Sequence, residues 1–171
     1  MKKILCLLGI SLLCILLAGC TQHTTPAARA YTNDFYGFSF DPPVGWQQIQ
    51  NNDNDVAVRF SPQNTTNVSL IIAVPFTLSE GRALSTFADQ TEENLLASGA
   101  NYSVVHRDWL TIADLQAYEL AYTYVQNDGT EYVKQVAVLK TRTVYLITFT
   151  APEPLAEQYL MVVDQSIRSF L

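Results

Sequence analysis

Cysteine is scarce in this chain and absent from most of it. The three cysteines are Cys6, Cys14 and Cys20, so none occurs after residue 20. No disulfide can hold the later residues together, and a zinc site built on paired thiolates is unsupported there. Stability must come from a hydrophobic core, which 171 residues with 49% hydrophobic content are able to supply.

Basic residues, glycine and proline are also few. Ten Lys+Arg against sixteen Asp+Glu give a net charge of -6, so the chain lacks the positive surface that binds phosphate backbones. We therefore expect no nucleic-acid partner. Seven glycines and seven prolines are too few for a fibrous or low-complexity protein, and 11% aromatic content is too high for a disordered one. The chain should fold.

The motifs of the common enzyme classes are missing as well. There is no Gly-x-x-x-x-Gly-Lys loop, no Gly-x-Ser-x-Gly elbow and no His-Glu-x-x-His pair. We expect no catalytic residue, no metal site and no cofactor. The nearest approach to a catalytic pair is His106 with Asp108, which share one face of a predicted strand, so that the carboxylate could orient the imidazole. Strands often place two such residues together by chance.

The amino-terminal residues carry an export signal. Lys2 and Lys3 precede an uncharged run, Ile4 to Ala18. At 1.5 Å per residue this run spans about 22 Å, less than the hydrocarbon core of roughly 30 Å that a permanent membrane helix must cross. We predict that residues 1–19 are a cleaved signal peptide.

The signal ends in a candidate lipid-attachment site. Leu17-Ala18-Gly19-Cys20 resembles the lipobox of prokaryotic lipoproteins. We predict cleavage between Gly19 and Cys20, with acyl chains such as palmitate attached through the Cys20 sulfur; the alternative is an ordinary signal peptide with a chance cysteine. Residues 20–30 form a flexible tether. The chain is thus expected on the extracytoplasmic face of the cell membrane, with the lipid anchor as its membrane contact.

Residues 31–171 are predicted to form one α+β domain. Alternating or continuous apolar residues indicate strands at 35–40, 56–60, 68–76, 102–109, 115–125, 132–140 and 143–150. Residues 68–76, apolar at nearly every position, should lie centrally in the sheet. Asn127-Asp128-Gly129 suits a tight hairpin turn. Such short links require an antiparallel sheet, of roughly seven strands.

Two amphipathic segments are predicted to be helices that cover the sheet. The first spans residues 80–98 and ends at Gly99. Its inward side comprises Leu84, Phe87, Ala88, Leu95 and Leu96. The second follows Pro154, and its apolar residues recur at spacings of three and four.

Two short motifs carry a resemblance to a known family. They are Tyr36-Gly37-Phe38-Ser39-Phe40-Asp41-Pro42-Pro43-Val44-Gly45-Trp46 and Ile167-Arg168-Ser169-Phe170. With these motifs, residues 31–171 resemble the PsbP-like family, named for an extrinsic subunit of photosystem II. The resemblance implies an α/β/α sandwich around an antiparallel sheet and a prokaryotic lipoprotein, with the non-photosynthetic type favoured. No metal ligand of the plant subunit matches a position here, so none is carried over.

Two further groups of residues are candidate sites. The acidic stretch 51–55 could place Asp53 and Asp55 around calcium, but it lacks the glycine and the glutamate of an EF-hand loop, so a solvated hairpin tip is the simpler interpretation. Asn64, Asn67 and Asn101 each begin a glycosylation sequon. These three asparagines would carry glycans only in a host that glycosylates exported proteins.

Two functional hypotheses remain. The first is a non-catalytic, membrane-anchored accessory domain that binds a membrane or surface protein. The alternative is a lipoprotein that binds a small ligand or a cation and serves a transporter or sensor. Tyr118, Tyr122 and Tyr124 share one face of a predicted strand, where they serve either as core residues or as a binding patch. An aromatic-lined pocket would favour the second hypothesis, and a flat surface the first.

Overall fold

The computed structural model of the chain describes residues 30–98, 101–126 and 129–171. The predicted signal peptide, its cleavage site at Gly19, the lipid-attachment residue Cys20 and nearly all of the tether lie outside these ranges. Gly99 and the first two residues of the Asn127-Asp128-Gly129 turn lie outside them as well.

An antiparallel sheet of eight strands forms the centre of the domain. The strands of the chain are β1 (Tyr31–Asn33), β2 (Phe38–Phe40), β3 (Trp46–Gln48), β4 (Val56–Pro62), β5 (Ser69–Ala73), β6 (Phe76–Thr77), β7 (Tyr102–Ile112), β8 (Leu115–Gln126), β9 (Gly129–Lys140) and β10 (Thr143–Pro152). The sheet has the order β3-β4-β5-β10-β9-β8-β7, with β6 also paired to β10, while β1 and β2 form a separate hairpin. As predicted, β5 lies between two other strands.

Two helices cover opposite faces of this sheet. They are α1 (Leu84–Ala97) and α2 (Glu153–Arg168). Successive strand residues point to opposite faces, so neighbours in β8 belong to different cores: Ala117 packs with α2 and Tyr118 packs with α1. The α+β class and the α/β/α arrangement implied by the resemblance are confirmed.

The two motifs that carry the resemblance meet in space. Phe38 stacks on the fully buried Phe170 with 5.6 Å between ring centroids. Ser39 and Leu171 exchange two backbone hydrogen bonds, of 3.1 and 2.9 Å. The β1–β2 hairpin is thereby joined to the residues after α2, because the aromatic strand buries its rings against the carboxyl-terminal phenylalanine.

Four local predictions differ from the structure. The strand predicted at 68–76 is divided, because β5 ends at Ala73 and β6 begins at Phe76. The strand predicted at 35–40 is interrupted, because Gly37 adopts a positive φ of 69° in the turn between β1 and β2. Helix α1 begins at Leu84 rather than at residue 80, beyond Gly81, which also has a positive φ. Leu96 is 67% exposed instead of facing inward. Twelve residues separate it from buried Leu84, which places it about 120° around the helix.

The eleven-residue β7 forms one edge of the sheet, and a β-bulge between Val104 and His106 interrupts its pairing with β8. Within the described ranges, neither helix has the length and apolar character needed to cross a bilayer.

Candidate functional site

A charged cleft lies between α2 and the β7 side of the sheet. It has a volume of about 440 Å³. Three adjacent strands supply His106, Glu119 and Lys134, while α2 contributes Asp164 and Arg168. The register explains the grouping, because Ala121 lies opposite both His106 and Lys134, and Glu119 is two residues from Ala121 on the same face. We call these five residues the charged cleft.

Lys134 is the buried centre of the charged cleft. It is 8% exposed, and its Nζ lies 2.7 Å from Asp164 Oδ1 and 3.1 Å from Glu119 Oε2. Burial alone lowers the pKa of Lys134, but the hydrogen bond to Asp164 and the negative charges of both carboxylates outweigh burial and raise the pKa above its usual value. The amine therefore stays charged and is a poor nucleophile or base.

His106 lies at the open side of the same cleft. Its Nε2 is 3.9 Å from Glu119 Oε1, beyond hydrogen-bond distance, and its side chain is 54% exposed. The carboxylate of Asp108 instead accepts a 2.8 Å hydrogen bond from the N–H of Trp109. The carboxylate that the fold brings towards His106 is thus Glu119 and not the predicted Asp108.

A second cavity opens on the opposite face of the sheet, beside the last turn of α1. It has a volume of about 290 Å³. Its lining residues come from α1 and four strands and include no charged side chain: Leu95, Tyr102, Tyr122, Tyr124, Val133, Gln135, Thr148 and Thr150. We call this cavity the tyrosine hollow.

Aromatic contacts fix the rings of the tyrosine hollow. The centroid of Tyr122 lies 6.1 Å from that of Tyr102 and 6.3 Å from that of Tyr124. The hydroxyl of Tyr124 donates a 3.0 Å hydrogen bond to Glu131 and accepts one from Gln126. Burial raises the pKa of Tyr122 and of Tyr124. Both hydroxyls therefore stay protonated at neutral pH.

The β7 edge presents apolar side chains to solvent. Val105 is 56% and Trp109 is 45% exposed, and Trp109 also packs on Tyr118 at 5.0 Å between ring centroids. Among the described residues no further strand pairs with the outer side of β7. Its free backbone donors and acceptors could accept another strand.

Most of the chain matches the model of a known protein family. The DcrB family model matches residues 40–169, which is most of the chain and includes both helices and the strands from β3 onward. The chain belongs to the DcrB family. The match includes the charged cleft, the tyrosine hollow and the β7 edge.

This DcrB-family chain is also similar to individual proteins, one by sequence and two by solved structure. CyanoP of Thermosynechococcus vestitus is 27% identical over 170 residues, covering 92% of this chain and 90% of that protein. The solution structure of cyanobacterial PsbP (CyanoP) from Synechocystis has a TM-score of 0.65 at 14% identity, covering 91% of this chain and 98% of the other. LpqN, involved in cell envelope biogenesis of Mycobacterium tuberculosis, has a TM-score of 0.64 at 12% identity, covering 78% and 82%. The predicted PsbP-like fold is confirmed.

The remaining predicted sites of this DcrB-family domain lie at its surface. Asn64 and Asn67 are exposed in the loop between β4 and β5, and Asn101 is exposed just before β7. In the acidic stretch, Asp53 accepts a 2.9 Å hydrogen bond from the backbone N–H of Asp55. Within the described residues no group of three or more His, Cys, Asp or Glu side chains could hold a metal ion. Glycosylation stays a prediction, and weak calcium binding stays the alternative to a solvated hairpin tip.

The sequence analysis missed most of the charged cleft. Glu119, Lys134, Asp164 and Arg168 were not singled out, although Glu119 and Lys134 carry a usable signal. Each is a charge between apolar residues on the inward face of its strand. Ala117 and Ala121 flank Glu119, and Tyr132 and Val136 flank Lys134. A charge in such a position must be paired, so a partner on the facing helix could have been sought.

Proposed function

We propose that this DcrB-family protein is a non-catalytic accessory protein, anchored by a lipid on Cys20 at the extracytoplasmic face of the membrane, that binds a membrane or surface protein. The apolar run before the Leu-Ala-Gly-Cys motif supports the anchor. The fold likeness to LpqN, a protein involved in cell envelope biogenesis, is in keeping with a place outside the cytoplasm.

The chemistry of the charged cleft supports a non-catalytic role. Lys134 is neutralised by two carboxylates, and the same contacts keep it protonated. Glu119 shares the Lys134 ammonium, and among the residues that the structure describes no carboxylate is hydrogen-bonded to His106 to orient it. A general base needs a partner that fixes its geometry and a proton acceptor that is not already engaged. The two carboxylates are engaged by Lys134 and the His106 ring is not held in one orientation, so the contacts of the cleft are better explained as a structural link between α2 and the sheet.

The β7 edge is the observation that carries the binding proposal. An edge strand of eleven residues with exposed Val104, Val105 and Trp109 offers both backbone pairing and apolar contact. Proteins that do not use such an edge usually shorten it, charge it or interrupt it with a bulge. Strand β7 does carry a bulge and the charged residues Arg107 and Asp108, but it keeps its full length and its three exposed apolar side chains. An extended segment of the partner would add to the sheet beside β7, with main-chain hydrogen bonds for affinity and side chains for specificity.

Site-specific photo-crosslinking in native membranes tests this surface. A crosslinking amino acid at Ser103, exposed on β7, should capture one defined membrane or surface protein. Val105→Lys should lower that yield by roughly tenfold, because a charge enters the buried centre of the contact. The control places the crosslinker at Met161, exposed on α2, where no capture is expected. Equal capture from both positions, or a yield that Val105→Lys leaves unchanged, would contradict the proposal.

A second candidate function is the binding of a small ligand, delivered to or sensed for a membrane partner. The tyrosine hollow favours it, since a concave site with aromatic walls and a few polar groups is the usual form of a ligand pocket. Saturation-transfer NMR with small neutral and cationic probes tests this candidate without a protein partner.

A further inference from the structure

The polar side chains of the tyrosine hollow have spare hydrogen-bonding capacity. Within the described part of the chain, the hydroxyls of Tyr102, Tyr122, Thr148 and Thr150 and the amide of Gln135 make no hydrogen bond to the protein, whereas Tyr124 is engaged by Glu131 and Gln126. The backbone groups of β8, β9 and β10 beside the cavity are already used in the sheet, because each of these strands pairs with a neighbour on both sides. Five polar side chains that converge on one cavity without protein partners are available to a ligand.

The walls of the tyrosine hollow restrict the chemistry of that ligand. Tyr102 and Tyr122 meet nearly edge to face, with an interplanar angle of 80°, so their rings present differently oriented walls. The negative face of an aromatic ring attracts the weakly positive C–H groups of a saturated ring. The nearby carboxylate of Glu131 is hydrogen-bonded to Tyr124 and does not line the cavity. The site therefore suits a neutral ring with both C–H faces and hydroxyl groups.

We propose that the tyrosine hollow binds a sugar ring of a neutral saccharide. This inference rests on the ligand-binding candidate above and names its ligand class. The C–H face of the sugar packs against the tyrosine rings, and its hydroxyls bond to Tyr122, Gln135 and Thr150. A cavity of about 290 Å³ is at the small end of ligand pockets, which commonly measure roughly 300–1,000 Å³. We therefore expect the cavity to hold one sugar ring at a time.

Two other ligand classes fit the tyrosine hollow less well. A cationic ligand would find aromatic faces but no carboxylate in the lining. A purely apolar ligand would displace water from the five unpaired polar groups and leave them without partners, which weakens binding. A saccharide packs its C–H groups on the tyrosine rings and forms hydrogen bonds with the polar side chains.

Saturation-transfer NMR on the full chain in phospholipid nanodiscs tests the inference. The probes are methyl β-glucoside and N-acetylglucosamine, compared with choline chloride and with cyclohexylmethanol, which keeps a ring but has a single hydroxyl. The sugars should bind with dissociation constants of about a millimolar, as single-ring ligands do. Tyr122→Phe and Thr150→Val each remove one hydroxyl without emptying the cavity and should weaken sugar binding roughly fivefold. Thermal unfolding checks that each variant is folded.

Tyr159→Phe is the matched control, because Tyr159 packs on Trp46 on the opposite face of the sheet. Sugar binding that falls in the two hollow variants and not in this control supports the inference. Tighter binding of choline or cyclohexylmethanol, or sugar binding that Tyr122→Phe and Thr150→Val leave unchanged, overturns the saccharide assignment and leaves a ligand pocket of another class. Binding of none of the four probes overturns both the assignment and the ligand-binding candidate.

Discussion

The ammonium of Lys134 lies where an apolar side chain would ordinarily be found. It occupies a strand position that faces α2 and is held by Glu119 from the sheet and by Asp164 from the helix. The three charges differ in exposure, since Asp164 reaches solvent more easily than the other two. Removal of the lysine should therefore destabilise the Glu119 carboxylate more than that of Asp164, because the Glu119 side chain is 11% exposed and the Asp164 side chain is 37% exposed.

This difference predicts how the charged cleft responds to substitution. Lys134→Met should lower the free energy of unfolding by about 3 kcal/mol, because it leaves a buried carboxylate unpaired. The double variant Lys134→Met with Glu119→Leu should recover most of that loss, since no buried charge then remains. Urea unfolding at neutral pH measures both. A double variant as unstable as the single one would show that packing, and not the unpaired charge, sets the cost.

Tyr118 predicts a response to alkaline pH. Burial and the hydrogen bond to Glu92 raise its pKa from 10.0 to about 12. The folded state therefore keeps a proton that the unfolded state releases above pH 10, so this contribution to stability is complete below pH 10 and is lost between pH 10 and 12. Unfolding midpoints should fall less steeply over this range in Tyr118→Phe than in the wild type. Tyr159→Phe serves as the control, and a slope equal to that of the wild type in Tyr118→Phe would contradict the assignment.

Helix α1 is bonded to the sheet near its middle but has no side-chain cap at its amino terminus. Its acidic residue Glu92 accepts hydrogen bonds from Tyr118 of β8 and Arg107 of β7, the latter at 2.7 Å. The cap position, Ala83, has extended backbone angles but no side chain that can accept a hydrogen bond from the first turn, and that turn contains no acidic residue. The exposed backbone N–H groups at this end are thus without a side-chain partner.

The missing cap gives a prediction for α1. Ala83→Asp should raise the free energy of unfolding by about 1 kcal/mol, because an aspartate there accepts a backbone hydrogen bond and its charge favours the helix amino terminus. Ala97→Asp, at the other end of the same helix, should be neutral or destabilising. Urea unfolding of both variants compares them, and equal effects at the two ends would contradict the capping argument.

For the whole molecule, the sequence predicts those parts of the fold that depend on residues close together in the chain. Alternation along β8, β9 and β10 and the short links between them predicted an antiparallel sheet with two covering helices. The pairing of β5 with β10 was not predictable in this way, since residues such as Leu70 and Phe149 are far apart in the chain. The charged cleft escaped notice for the same reason, because its residues come from four separate elements. Of the tyrosine hollow, the sequence predicted only that Tyr122 and Tyr124 share one face of a strand. Leu95 of α1 and Thr150 of β10 complete the cavity and are distant from that strand in the chain.

The proposed function requires this fold to work outside the cytoplasm as a lipid-anchored protein. The most direct measurement is intact mass spectrometry of the chain purified from separated cell fractions. We expect a chain in the membrane fraction that begins at Cys20 and carries the added mass of acyl chains on that residue, and Cys20→Ala should abolish the modification. A chain recovered from the cytoplasm, with residues 1–19 still attached and Cys20 unmodified, would contradict it.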